Sequence, residues 1–210
     1  MKNIRLPYTA GLLLIAGLFP GRLSAGDFKL VKQDRSISLY ERWIPAKSGE
    51  KVRELKAVFS VHADPASVTR LLTDADRGIR WNTAAKTYEV RRAADTDSWV
   101  TYIRYDIPWP FDDQDCCLRF HAARDAAGQL SGEITFSSIA DPRFPRMNGV
   151  DRTTGTRGRW LIDEQDGGML KITYFITTDR SKKVPRWVSD PIIHDHIFSS
   201  MTAFKNLLEQ

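Results

Sequence analysis

Near its C-terminus the chain carries an apolar stripe that an isolated helix cannot leave in water. Ile193, Ile197, Met201, Phe204 and Leu208 recur at spacings of three and four residues. Asp190-Pro191 reads as a cap followed by proline at the first helical position. The spacing predicts a helix over 191–209, about 28 Å long at about 1.5 Å per residue. Such a helix reaches across several strands, and its stripe must be buried against another layer.

The preceding chain supplies that layer. Segments 28–33 and 36–43 flank Asp34-Arg35 as a hairpin, and 52–61 reads as a third strand. Asp64-Pro65 opens a short helix with Val68, Leu71 and Leu72 on one face, ending around 74–78. Strand patterns then follow at 87–92, 99–107, 116–122, 132–138, 157–163 and 169–178. In 99–107, Trp99, Thr101, Ile103, Tyr105 and Ile107 face one way, against Val100, Tyr102, Arg104 and Asp106. That is the pattern of a sheet with one buried face. Segment 141–149, with two prolines, Phe144 and Met147, reads as irregular. The expected fold class is α+β, a curved antiparallel sheet wrapped around a long C-terminal helix.

The first residues read as a secretory leader. Lys2 and Arg5 precede an apolar run over 9–19, then Pro20-Gly21, and Ala25 offers a small residue for cleavage. The run is short for a bilayer span. The expected division is a signal peptide over 1–25 and one domain over 26–210, exported and most simply periplasmic. Removing the leader takes Lys2, Arg5 and Arg22 but no acid, so the net charge of +5 falls to +2. So mild a balance does not point to nucleic acid.

Two cysteines, Cys116 and Cys117, are adjacent and point to opposite faces of a strand, so the expectation is burial rather than a bond. His194-Asp195-His196 places its histidines two apart on a helix, where they cannot easily ligate one ion. It reads as an exposed polar stretch. No metal or cofactor is expected, and no phosphate loop or nucleophile elbow is present.

The connection Ile107-Pro108-Trp109-Pro110-Phe111-Asp112-Asp113-Gln114-Asp115 puts two large aromatics in a loop, where binding functions concentrate. With Trp81-Asn82, Tyr102, Pro142, Pro145, Gly158-Arg159-Trp160, Thr173-Tyr174 and Pro185-Arg186-Trp187, in that order and spacing, the chain resembles the START (StAR-related lipid-transfer) family. The likeness covers most of 28–209 and fits a bacterial, exported member. That family sits in the helix-grip, or SRPBCC, superfamily, which also holds polyketide cyclases. Two departures stand out. Gln114 replaces an arginine usual before Asp115, so an ion pair there is expected to be missing. The apolar Ile103 and Phe120 stand where some sterol-binding members carry an acid and an arginine.

The resemblance implies an internal hydrophobic cavity holding one lipid-like ligand, with no catalytic residues. The candidate lining is Trp81, Ile103, Tyr105, Phe120, Phe136, Trp160 and Tyr174 from the sheet side, with Ile197, Met201 and Phe204 from the helix. Trp109 and Phe111 are candidate membrane anchors, and Lys182, Lys183, Arg186 and Trp187 a candidate gate beside anionic headgroups. The expected partners are a lipid or other hydrophobic small molecule and, transiently, a membrane surface, with the protein acting as a monomer. A cyclase-like enzyme using Tyr105, Tyr174 and Ser138, and a protein-interaction module using the aromatic loop, are the other readings.

Overall fold

A carboxylate closes the first hairpin. Asp34 accepts from the backbone N–H groups of Ser36 and Ile37 at 2.7 and 2.9 Å, turning the chain between β1 (Lys29–Gln33) and β2 (Ile37–Pro45). The structure, a computed structural model, describes residues 27–45, 49, 51–107, 112–126, 128, 130–178 and 186–210, the last segment without the side chains of 186–188. The expected leader, Trp109, Phe111, Lys182 and Lys183 lie outside the described residues, and Arg186 and Trp187 are described in backbone only.

After β3 (Lys51–His62) come two short helices where the sequence pattern predicts one. Asp64 caps α1 (Pro65–Leu72) by accepting from Ala66 N, and Asp74 caps α2 (Ala75–Trp81) by accepting from Arg77 N. The strands β4 (Ala85–Arg92), β5 (Ser98–Tyr105), β6 (Asp113–Arg124), β7 (Leu130–Ser138), β8 (Val150–Arg152), β9 (Arg157–Gln165) and β10 (Met169–Thr177) follow, then α3 (Arg186–Leu208). The strand order is β1-β2-β3-β10-β9-β7-β6-β5-β4, antiparallel throughout, with β8 added in parallel beside β6. Both edge strands slip register against their neighbours, β1 between Leu30 and Lys32 and β4 between Ala85 and Thr87.

Register aligns the inner face into rows. Leu39, Ala57, Tyr174, Trp160, Ile134 and Ala122 are lateral neighbours across six strands, and all are buried. Ile197, Met201, Phe204, Leu207 and Leu208 of α3 pack into the same core. The expected stripe is therefore the face that the sheet covers.

Two expectations are corrected. Helix α3 begins five residues before Pro191, which sits inside it. Proline has helical φ and here removes only the one N–H that would reach the carbonyl four residues back, while Asp190 pairs with Arg53 at 2.8 Å instead of capping. Strand β5 is buried on both faces over 99–103. Its outward Val100 and Tyr102, with Cys117, are covered by Phe144 and Ile139 from the irregular segment that crosses the outer surface. Position 114 carries no arginine, and Asp115 pairs with one from elsewhere in the chain. Arg152 on β8 binds both Asp115 oxygens at 2.5 and 2.8 Å, Tyr102 adds a hydrogen bond at 3.1 Å, and Arg152 also donates to Phe144 O.

Candidate ligand-binding interior

Two close approaches fix the interior. A Cβ on Gly78 would meet the Tyr88 ring at 2.2 Å, so only glycine lets α2 lie flat on β4. A Cβ on Gly158 would meet Phe175 O at 2.0 Å and the Phe136 ring at 2.4 Å, so glycine there lets Phe136 lean over β9. The first contact carries Trp81 and Asn82, at the end of α2, into the space between sheet and α3.

One end of that space is packed with rings. Trp81 meets Tyr88, Trp160 and Phe204 edge-on at 5.8, 6.3 and 5.2 Å. Trp160 tilts against Phe204 and Tyr174 at 4.6 and 4.4 Å, and Phe136 bridges Phe120 and Tyr174 at 5.1 and 5.9 Å. Such pairs add about 0.5–1.5 kcal/mol beyond their buried area. All ten candidate lining residues belong to or pack against this one core. They differ in reach: Trp160, Met201 and Phe204 expose 1, 1 and 0 % of their surface, so they touch protein only, whereas Tyr174 and Ile197 keep 7 and 8 %. Tyr105 is half-buried.

The other end is polar-tipped. Asn82 Nδ2 donates to the Tyr105 hydroxyl at 3.3 Å, and Asn82 Oδ1 is buried with no hydrogen-bond partner among the described residues. The His196 ring stands edge-on to Tyr105 at 5.8 Å, and Ser200 shares a hydrogen bond with Thr83 at 3.3 Å. Cys116, also in the interior core, has its thiol pushed up to about 12 by burial and by neighbouring Cys117 and Asp115. Burial raises the Tyr105 and Tyr174 phenols and lowers the His196 imidazole. The groups at this end are therefore uncharged near neutral pH.

Of the stretch 194–196, expected to be solvent-exposed, Asp195 is exposed while His194 and His196 are partly buried. His194 contacts Glu41 at 3.1 Å and Asp195 contacts Lys32 at 2.5 Å, which turns His196 inward. Among the described residues no cluster of three or more potential ligands could hold a metal, and no helix is long and apolar enough to cross a membrane. Two surface grooves lie apart from the interior, one beside Lys171 and Lys205 and one of about 490 Å³ under Phe144 and Arg152.

A sheet of this order gripping a terminal helix has close solved counterparts. The STAR-related lipid transfer protein of Xanthomonas axonopodis superposes with a TM-score of 0.70 at 22 % identity, over 87 % of this chain and 99 % of that one. The chain has the START helix-grip fold. Human StAR-related lipid transfer protein 5 shares the START fold at the same TM-score of 0.70, with 15 % identity over 90 % of this chain and 89 % of its own. An aromatase/cyclase of Streptomyces is more distant, with a TM-score of 0.54 and 12 % identity over 75 % of this chain and 94 % of its own. In sequence the chain is similar to an uncharacterised protein of Pseudomonas aeruginosa, 23 % identical over 201 residues that span 94 % of this chain and 96 % of that protein. No family model matches the sequence.

Sequence reasoning singled out Trp81, Tyr105 and Tyr174 but not Asn82 or His196 as interior groups. Asn82 lies 23 residues from Tyr105 in sequence. Only the hairpin of β4 and β5 joins them, so no local spacing carries the signal.

Proposed function

We propose that this START-fold chain binds one lipid or other hydrophobic molecule, without catalysis, between its sheet and α3. The observation that carries the reading is an interior that is largely apolar yet holds several buried polar atoms with no hydrogen-bond partner among the described residues, Asn82 Oδ1 and the Trp81 and Trp160 indole N–H groups among them. An ordinary core gains nothing from such a patch, because each unpaired buried polar group costs about 1–3 kcal/mol. A carrier gains a place to orient its cargo. The lipid-transfer proteins that share the fold support the same reading. Shielding matters because each exposed CH₂ costs about 0.8 kcal/mol, so about twenty carbons cost on the order of 16 kcal/mol.

In this proposal the helix and the 107–113 connection close the site, Trp109 and Phe111 touch a membrane, and Lys182, Lys183 and Arg186 meet anionic headgroups beside Trp187. The protein is exported to the periplasm and transfers its ligand as a monomer. Native mass spectrometry of protein purified from its own cell envelope tests this. A stoichiometric copurifying lipid supports it, whereas uniformly empty protein that also takes up no lipid from vesicles overturns it.

A second reading has one observation behind it. His196, its imidazole pKa lowered by burial, stands edge-on to the Tyr105 ring at 5.8 Å, which brings an imidazole and a phenol into one interior. Turnover of an added poly-ketone, lost in His196→Ala, would establish a cyclase-like enzyme instead.

A further inference from the structure

We propose that Asn82 and Tyr105 together form the polar anchor of the interior, and that this anchor selects an uncharged ligand bearing a hydroxyl group. The inference rests on the binding reading above and names the ligand class.

Asn82 is only 4 % exposed. Its main chain is already satisfied at the turn: its N–H reaches Gly78 O at 3.1 Å, and its carbonyl accepts from Ala85 N at 2.8 Å. The carboxamide is therefore not needed as a cap. It turns inward, where Nδ2 donates to Tyr105 and Oδ1 has no hydrogen-bond partner among the described residues. The Tyr105 oxygen accepts that bond, and among the described residues its own proton has no acceptor. The two side chains thus hold a spare acceptor, Asn82 Oδ1, beside spare donors, the Tyr105 O–H and the second Nδ2 hydrogen.

A hydroxyl matches both. It donates to Asn82 Oδ1 and accepts from the Tyr105 O–H. An ether or ester oxygen satisfies only the donor, and an ammonium only the acceptor. Turning the carboxamide over exchanges the roles but still leaves an acceptor on Tyr105 and donors on the amide, so the match to a hydroxyl persists. The buried indole N–H groups of Trp81, Trp99 and Trp160 are also unpaired, but each offers a donor alone.

Charge is disfavoured at the same place. Near the anchor stand Tyr174, Cys116, His196 and Ser200, none of them ionised near neutral pH. The described cations nearest the anchor in sequence already have partners: Arg104 and Lys86 are paired with Asp113 and Asp106, and Arg80 donates to Gln210. A phosphate or carboxylate buried here would lack a counter-ion, and an uncompensated buried charge costs several kcal/mol. Burial also keeps the Tyr105 phenol protonated, so its donor persists into alkaline solution.

The test uses the lipid-stripped full chain and three pyrene-labelled probes of one tail length: a long-chain alcohol, its methyl ether and its phosphate monoester. Fluorescence titration is expected to show the alcohol bound about tenfold tighter than either analogue. Tyr105→Phe keeps the ring and Asn82→Leu keeps the bulk. Asn82→Leu is expected to shrink the alcohol-to-ether ratio to about threefold or less with ether binding unchanged, whereas Tyr105→Phe is expected to weaken alcohol and ether alike. Equal binding of alcohol and ether by the wild type, tightest binding of the phosphate, an undiminished ratio in Asn82→Leu, or undiminished binding of both alcohol and ether in Tyr105→Phe overturns the anchor. Binding of no probe by wild type overturns the carrier reading itself, and the anchor with it.

Discussion

The two ends of the interior share strands, helix and depth, yet they are finished in opposite ways. At one end Trp160, Phe204 and Met201 surrender almost all their surface to other side chains. At the other, Asn82 and Tyr105 share a single long hydrogen bond and leave an acceptor unmet. The ring-packed end holds the sheet on the helix. The polar end gives up stability, and the return on that loss is selectivity toward what enters. Residues can therefore be sorted by what their removal harms.

The largest effect is expected from Trp160→Ala. It deletes a ring touching Trp81, Phe204 and Tyr174, and urea unfolding should show a loss of about 3–5 kcal/mol. A loss under about 1 kcal/mol would break the comparison, because the packed end would then not be the anchor of stability. On the outer face, Arg152→Met leaves Asp115 buried with Tyr102 alone, and should cost about 3 kcal/mol by the same measurement while probe selectivity stays intact.

The polar end should show its character in pH. Burial holds the His196 pKa below its ordinary 6.5, so the unfolded chain binds the proton more readily. The stabilising contribution is present above about 6.5 and is lost as pH falls through the lowered folded value. Urea midpoints from about pH 8 to about pH 5 should therefore decline, and His196→Gln should flatten that part of the slope. The smallest effect is expected from Asn82→Leu. Replacing a half-satisfied buried amide with an apolar group should change stability by within about 1 kcal/mol, in either direction, although it abolishes the hydroxyl preference. A loss of about 3 kcal/mol or more would mean that Asn82 is structural and that the two ends are one.

Much of the fold can be read from alternation and from the C-terminal stripe, because both record which face is buried. Other features needed the third dimension. Helix α2 is obscured by Gly78, a poor helix former retained because the Tyr88 ring leaves no room for a Cβ. The cover over β5 left a trace in Val100, Tyr102 and Cys117, which are apolar on positions read as outward. The segment that covers them, rich in proline and arginine, carries no period of its own. The partner of Asp115 lies 37 residues away on a three-residue parallel strand, beyond the reach of any spacing rule. The start of α3 was hidden because Asp190-Pro191 imitates a cap so well.

The slipped edge strand β1 has a consequence for handling the protein. It is five residues long, carries Lys29 and Lys32, and loses step with its neighbour midway, so it makes a poor template for a foreign chain. Behind it β2 pairs with β3 without a break from Ile37 to Pro45. Trimming the protein to Ser36 would uncover that longer, straighter border and invite strand-by-strand aggregation. The first few residues of the domain thus serve as a guard rail for solubility.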